Sequence, residues 1–401
     1  MSLRRRRVLV LSRAYPNSAT ELLGLWVQRP VARLADRYET KVIAPVPWCP
    51  PLPGLPEYYT RFRRVPRRRW DGPVEVFHAR FLVGLGFSLR RLEWRAYLRA
   101  VRPLVERVRR EFPFELVHAY FSYPDGVVAA RIGRRHGVPV IITEQAPWRP
   151  WMDESPVERR LAVEAMRESA FGIAISTSLR DSIVNFTGES ERIRVIPNGV
   201  DTDVFTLPPS GLRTRPDQIL FVGLIRAVKG VDVLVRALRL LADRGRKAKL
   251  VAIGNGYYRS YQRDQADVRR LIAELGMSDS VEFRSGQSQE ALVRAMQESA
   301  VLVLPSRVES LGLVLAEALA CGTPVVATRS GGPEDIVTDE VGVLVPTEDP
   351  VALADGIQHV LDNRSSYRPE ALRSHVVVRF GLDTVTARIG ELYEQAVNGV
   401  R

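Results

Sequence analysis

The sequence predicts an α/β protein built from two doubly wound domains, and three observations carry that prediction. Short apolar, β-branched runs recur along the chain with room for a helix between most of them, the pattern of parallel strands covered on both faces. The pattern breaks once, between Pro197 and Pro216, where Pro208, Pro209 and Gly211 read as a linker, and then starts again. At 401 residues the chain is too long for one hydrophobic core.

The first alternation begins with the buried-strand run Val8–Leu11, a polar loop to Gly24 and a helical pattern through Ala35. Strand runs follow at Val42-Ile43, Val74–Phe77, Leu116-Val117, Val138–Ile142, Ile173–Ile175 and Ile193–Ile196. The second comprises Ile219–Val222, Leu250–Ile253, Val281–Phe283, Val301–Leu304, Val325-Val326 and Val343–Val345. Helices are expected near 230–244, 261–275, 289–298 and 311–320. The expected domains are 1–200, 201–375 and a C-terminal helical segment, 376–401, in which Val376, Phe380, Leu382 and Tyr393 are spaced like buried anchors. Open parallel sheets bind ligands at the carboxyl ends of their strands. Two facing each other would form a cleft with a donor and an acceptor side, which suits a two-substrate enzyme.

Composition excludes several classes. Apolar residues at 45 % and charged residues at 26 % are ordinary globular values, which argues against a disordered or coiled-coil chain. No apolar run approaches the roughly 20 residues that span a bilayer, and Val8–Leu11 is too brief for a signal-peptide core. Cys49 and Cys321 stand too far apart for a disulfide framework or metal cluster, so the cytosol is the expected compartment.

Charge divides unevenly. Residues 1–200 hold 34 Lys+Arg against 20 Asp+Glu, whereas 201–401 hold 24 against 26. A basic half suits an anionic partner. The stretch 45–73 reads as irregular and holds Arg61, Arg63, Arg64, Arg67, Arg68 and Arg69. Behind it, Leu89, Leu92, Ala96, Val101, Leu104, Val105 and Val108 fall on one helical stripe, with Arg90, Arg91, Arg95, Arg99 and Arg102 mostly off it. One reading is a solvated helix face. The other is peripheral contact with an anionic membrane, inviting because Phe87, Trp70 and Trp94 sit among the charges. Nucleic-acid binding lacks any module to support it.

The densest chemical signal runs from Pro305 to Pro324. A buried strand ends, a short loop turns, and a helix is expected to begin near Leu311. Its free N–H groups and positive dipole end form a natural seat for a phosphate. Gly312 permits close backbone approach. Glu309 and Glu317, eight residues apart, can face one ligand, and carboxylates accept paired bonds from vicinal hydroxyls of a sugar or ribose. Taken alone, the two glutamates also fit a dipole partner and an exposed helix residue. Gly254-Asn255-Gly256 lacks the register of a dinucleotide fingerprint, and no Walker sequence or nucleophile elbow occurs.

This stretch resembles the E-x7-E motif of retaining glycosyltransferases with the GT-B fold, glycosyltransferase family four. Similar flanks are Val195–Asp201 with Phe205, Phe221-Val222-Gly223, Lys229–Asp232, Gly254–Gly256, Ser330–Glu334, Gly342–Pro346, and His118–Tyr120 with Tyr123–Gly126. The resemblance implies a nucleotide-diphosphate sugar donor, such as a UDP-, GDP- or ADP-hexose, and transfer of a hexosyl unit to a hydroxyl acceptor with retention. It points to polysaccharide, glycolipid or natural-product biosynthesis. Lys229, aided by a nearby arginine such as Arg226, would neutralise the diphosphate; Glu309 would bind sugar hydroxyls, Glu317 the ribose, and the backbone amides of Leu311, Gly312 and Leu313 the distal phosphate. Gly24 would let the diphosphate and acceptor pack against bare backbone, Gly254 would contact the donor, and the loop from Arg284 to Gln287 would border the base. The charge of the leaving diphosphate would be met by fixed cations and amides, so no metal or other cofactor is expected.

Two departures bear on the site. The arginine that the family usually places after the strand glycine is Leu224 here. Either Arg226, two residues on, reaches in from the shifted position, or the site works with Lys229 and helix amides alone and Arg226 is a solvated turn residue. Where the family commonly has histidine, this chain has Gln145, so its amide is the expected donor contact. Tyr120 likewise stands where many relatives carry histidine. His118 is then either a cleft residue or a satisfied histidine at a strand end, and Asn198 fits a hinge turn as well as a donor contact. The departures also suit a GT-B protein that binds nucleotide sugars without turnover; another GT-B enzyme, such as an epimerase or phosphorylase, is the remaining alternative.

Overall fold

The computed structural model describes residues 5–21, 23–50, 60–83, 92–148, 155–212, 214–254 and 259–399. Of the residues singled out above, Phe87, Leu89, Arg90, Arg91, Asn255 and Gly256 lie outside the described residues. The chain divides into two compact units, residues 1–199 with 385–401, and residues 200–384.

Unit 1 opens with β1 (Arg7–Leu11), a loop to Gly24, and α1 (Leu25–Leu34). β2 (Glu39–Ile43), β3 (Val46–Trp48), β4 (Arg68–Asp71), β5 (Val74–Phe77) and β6 (Arg80–Leu82) follow, then α2 (Glu93–Glu111). The rest alternates: β7 (Leu116–Tyr120), α3 (Val127–His136), β8 (Val140–Glu144), α4 (Pro156–Glu168), β9 (Phe171–Ala174), α5 (Thr177–Thr187) and β10 (Ile193–Val195). Among the described residues these give an eight-stranded sheet of order β10-β9-β8-β7-β1-β2-β5-β4, and β3 pairs separately with β6. Only the β4–β5 pairing of the large sheet is antiparallel.

Unit 2 contains β11 (Arg215–Val222), α6 (Val231–Asp243), β12 (Lys249–Ile253), α7 (Arg259–Glu274), β13 (Val281–Arg284), α8 (Gln289–Glu298) and β14 (Ser299–Leu304). It continues with α9 (Leu313–Ala320), β15 (Val325–Thr328), β16 (Gly342–Val345), α10 (Pro350–Asp362) and α11 (Pro369–Phe380). The sheet order is β13-β12-β11-β14-β15-β16, all parallel. Every residue of β14 is buried, as the continuous apolar run requires of a central strand covered on both faces.

The strand orders locate the sites. From β11 one arm of the sheet runs outward through β12 and the other through β14, so the topological switch point lies between β11 and β14. In unit 1 it lies between β1 and β7. Ligands of open α/β sheets bind outside the carboxyl ends of the strands at such points.

The last helix, α12 (Leu382–Asn398), enters unit 1 from Val385 onward. Its Val385, Ile389, Leu392, Tyr393 and Ala396 join the unit 1 core with Val8, Val31 and Tyr38. Val376 and Phe380, expected to leave with that segment, are instead buried in unit 2. The buried stripe of α2 is Tyr97, Val101, Val105 and Val108, whereas Leu92, assigned to it from spacing, is 47 % exposed. A tyrosine on the core side was invisible to a stripe counted on aliphatic residues.

Candidate active site

The two loops flanking the unit 2 switch point carry the strongest site. After β11 the chain turns at Gly223, runs through the exposed Leu224 and Arg226, and closes a short 3-10 turn at Ala227–Lys229. Gly230 then enters α6 at φ 64°. A Cβ on Gly230 would stand 2.0 Å from the Pro305 carbonyl oxygen, so its lack of a side chain lets this loop seat on the loop after β14. The seating brings the Lys229 ammonium to 2.5 Å from Glu309 Oε2, an oxygen that also accepts the Ser306 hydroxyl at 3.2 Å. Glu309 is fixed by its backbone as well: its N–H donates to Ser330 O and its carbonyl accepts the Gly332 N–H.

Gly312, at φ 80°, caps α9. The helix therefore begins at Leu313, two residues later than expected. Leu311 is buried outside it, with Gly332 so close that a Cβ there would sit 2.3 Å from Leu311 Cα. Only the Leu313 amide of the three nominated stands in the helix proper. Helix α9 is otherwise buried, and its half-open residues are Leu313, Val314 and Glu317, one helical face. Arg226 shares the Lys229 turn, its carbonyl accepting the Lys229 N–H at 2.9 Å.

Gly254 follows β12, and a Cβ there would meet the Gly223 carbonyl oxygen at 1.9 Å. The lack of a side chain at Gly254, nominated as a donor contact, is thus required first by the protein's own backbone. Arg284 ends β13 with its guanidinium bonded to both carboxylate oxygens of Glu282, at 2.7 and 3.0 Å.

Sequence reading gave no role to Arg307. Its guanidinium meets both Asp232 oxygens at 2.9 Å, Glu348 at 2.9 Å and the Ala227 carbonyl, while its N–H donates to Val228 O. The bonds to Asp232 lead in raising the Arg307 pKa against burial. Burial pushes the Asp232 carboxyl up, and the bonds from Arg307 and Arg236 more than reverse it, leaving it below the usual carboxylate range. Arg307 was visible inside the Pro305–Pro324 stretch, but its partners are 75 and 41 residues away.

Unit 1 places its nominated residues differently. His118, in the central strand β7, is wholly buried and bonded on both ring nitrogens, to Tyr393 Oη at 2.7 Å and Thr143 Oγ1 at 2.8 Å. Burial lowers its pKa to about 3. His118 is therefore a core histidine, not a cleft residue. Gln145 and Asn198 close on each other through two amide hydrogen bonds of 3.0 and 2.7 Å, so the Gln145 amide expected to face the donor is engaged within the unit. Gly24, at φ 89°, would place a Cβ 1.7 Å from the Ala14 carbonyl oxygen. That glycine is demanded by the fold itself.

At the carboxyl ends of the unit 1 strands lies a cavity of about 260 Å³ lined by Arg13, Glu93, Phe121, Tyr123, Glu144 and Glu158, among others. Glu144 is a buried carboxylate accepting bonds from Ser122, Trp148 Nε1 and the N–H groups of Gln145 and Ala146. A larger hollow, about 660 Å³, lies against the opposite, amino-terminal ends of β8 and β9. Size alone does not outweigh topology here, because ligand sites of these sheets lie at the carboxyl ends.

Comparison with known proteins gives a consistent result. Residues 31–204 match the family described as Glycosyltransferase Family 4, and residues 206–373 match Glycosyl transferases group 1. A D-inositol 3-phosphate glycosyltransferase of Xylanimonas cellulosilytica is 32 % identical over 315 residues, 73 % of this chain and 74 % of that one. Its counterpart in Mycolicibacterium smegmatis is 37 % identical over 222 residues, 53 % of this chain and 50 % of that one. In structure the chain is similar to sucrose-phosphate synthase from Thermosynechococcus elongatus, with a TM-score of 0.79, 20 % identity and coverage of 98 % and 99 %. It is also similar to Anabaena HepE in complex with UDP and glucose, with a TM-score of 0.73, 20 % identity and coverage of 98 % and 100 %.

Proposed function

Because the chain belongs to glycosyltransferase family four and has the GT-B fold, we propose that unit 2 seats a nucleotide-diphosphate hexose and that the hexosyl unit passes to a hydroxyl acceptor with retention of configuration. The observation that carries this reading is the Lys229–Glu309 pair at the switch point beside the start of α9. A cation, a carboxylate and the first amides of a helix converge there, which is what a sugar diphosphate presents partners for. Lys229 and the α9 amides stabilise the charge that develops on the departing diphosphate. Glu309 accepts sugar hydroxyls, Glu317 the ribose, Arg226 adds charge from the same turn, and Arg284 with Gly254 borders the base. The acceptor attacks from the face the diphosphate leaves, passing its proton to that phosphate, and no metal or other cofactor is assigned to the step.

D-inositol 3-phosphate, named in the relatives, is the first acceptor to test, beside the hydroxyls of polysaccharide and glycolipid precursors. We also propose peripheral contact with anionic membrane through the basic face of unit 1, supported by Arg95, Arg99 and Arg102 standing exposed along one side of α2.

Thermal shift with UDP, GDP and ADP tests the donor site: at 100 times its Kd a ligand adds about 2.7 kcal/mol of stability. With the matching nucleotide sugar, Lys229→Ala and Glu309→Gln are expected to lower transfer by roughly 100-fold or more while the protein stays folded. Full activity in either variant removes that residue from the mechanism. Nucleotide-sugar binding with no transfer to any acceptor favours the binding-protein alternative. The anomeric configuration of the product by NMR tests retention, and activity in EDTA tests metal independence.

A further inference from the structure

Arg307 lies two residues from Glu309, yet it touches neither Glu309 nor Lys229 by any hydrogen bond described above. All three guanidinium nitrogens are committed: Nε to Glu348, Nη1 to Asp232 and the Ala227 carbonyl, Nη2 to Asp232. Four of its five N–H donors are thus spent on two carboxylates and a carbonyl. Its bonds run instead to the segments that frame Lys229. Ala227 and Val228 precede the lysine, and Asp232 follows it in the first turn of α6.

We propose that Arg307 is a positioning residue of the transfer reaction, acting through Lys229. This rests on reading unit 2 as the donor site. The turn at Ala227–Lys229 is a single 3-10 turn after the end of β11, so no sheet ladder holds the ammonium in place. Arg307 supplies that restraint from the loop that also carries Glu309. One segment thereby sets both members of the pair, and the separation of cation and carboxylate is built in before a donor arrives. Reacting groups held in place in advance avoid the entropic cost of orienting them in the transition state. A lysine at 307 could reach one oxygen but could not span Asp232, Glu348 and the Ala227 carbonyl in a fixed plane.

Glu348 adds a second line of support. It holds φ 58°, a left-handed conformation uncommon for a residue with a side chain, while its carboxylate reaches Arg307 Nε. Glycine would suit that backbone better, so the carboxylate is the feature that glycine would lose.

The experiment is a double-mutant cycle on the full chain. It measures calorimetric affinity for whichever of UDP, GDP or ADP binds tightest, together with kcat and KM for the matching hexose donor. Arg307→Ala is expected to weaken binding by about tenfold and to lower kcat more than it raises KM. Arg307→Lys should recover part of that loss. Glu348→Gly should weaken binding by about threefold while the melting temperature holds or rises, the reverse of a residue kept for the turn. In the Lys229→Ala background, Arg307→Ala and Glu348→Gly should each add nothing further.

Losses that multiply in the double variants, or wild-type binding and kinetics in Arg307→Ala or in Glu348→Gly, would overturn the proposal. If Lys229→Ala alone binds nucleotide as the wild type does, the donor-site reading falls and this proposal falls with it. Should Arg307→Ala not fold, the Glu348→Gly cycle decides the question.

Discussion

His118 and Asp125 are both wholly buried in unit 1 and titrate in opposite senses. Burial draws the His118 pKa from 6.5 down to about 3, so the unfolded chain binds a proton there that the native chain refuses. Its contribution to stability is complete above pH 6.5 and is lost as pH falls toward 3. Burial lifts Asp125 from 3.8 to about 6, with Arg13 and Tyr97 pulling it partly back. The native state then holds the extra proton, and that contribution is lost as pH rises through about 6. Each group has a slope of at most about 1.4 kcal/mol per pH unit, and between about pH 4 and 6 the two oppose each other. Relative to the wild type, His118→Gln should make urea-derived stability rise less with pH across that window, and Asp125→Asn should make it rise more; three parallel profiles would refute both assignments. The sequence left His118 open because a histidine near the carboxyl end of a strand looks the same whether it faces a ligand or a core. The residue that decides is Tyr393, 275 positions later, and no local pattern reports it. Glu309 was nominated from the chemistry of its own strand-to-helix turn and Lys229 from the resemblance, and the structure brings the two side chains together. Arg307 stood in the same readable stretch without a role, since its carboxylate partners come from the first turn of α6 and the loop after β16.

At the scale of elements, the unit 2 site depends on glycines that let loops touch. Gly230 combines a positive φ with contact against Pro305, whereas Gly245 has a positive φ and nothing within 4 Å of a Cβ. Replacing each by alanine separates the two demands. Both variants should lose roughly 1–2 kcal/mol from placing a Cβ in left-handed backbone. Gly230→Ala should lose more, because the Pro305 loop must shift. Nucleoside diphosphate binding should weaken in that variant alone, since the shift moves Glu309 away from Lys229. Equal losses of stability and unchanged binding in both would show that the loop contact does not set the site. The strands on either side of these turns were readable from runs such as Val301–Leu304, because a buried parallel strand is apolar at every position. Strands β3, β4 and β6 were missed inside a stretch read as irregular or close behind it. β4 is an edge strand reading Arg68-Arg69-Trp70-Asp71, charged and largely outside the core, so neither alternation nor apolarity marks it. The start of α9 was set too early for a related reason: Leu311 is buried like a helix residue, and only the left-handed Gly312 shows that the helix has not yet begun.

Over the whole molecule, charge follows the units closely. Unit 1 holds 36 Lys+Arg against 22 Asp+Glu and unit 2 holds 22 against 24, counted on the boundaries at Gly199 and Thr384. Because residues 385–401 bring two acids and two bases with them, the division seen in sequence survives the return of the chain to unit 1. The disposition of the basic residues is narrower than their number suggests. Arg63 and Arg69 turn to the carbonyls of Pro50 and Pro16, and Arg61 lies over the Phe62 ring at 4.9 Å. Arg64 and Arg67 remain exposed, as do Arg95, Arg99 and Arg102 along α2, beside Trp94, whose ring is flanked by Arg95 at 5.4 Å and Arg131 at 4.3 Å. Among the described residues no helix is long and apolar enough to cross a membrane. Charge held at a surface is screened beyond about 10 Å at 0.1 M salt and about 3 Å at 1 M. The proposed membrane contact therefore predicts binding to phosphatidylglycerol vesicles at low salt, little to phosphatidylcholine, and release as salt approaches 1 M. Changing Arg95, Arg99 and Arg102 together to Gln should weaken vesicle binding by about tenfold, taking roughly 1 kcal/mol for each charge as an upper measure and partial screening into account. The melting temperature should change little, because exposed charges contribute little to stability. Binding that is equal on neutral vesicles, indifferent to salt or intact in the triple variant would mean that the arginine face is simply solvated.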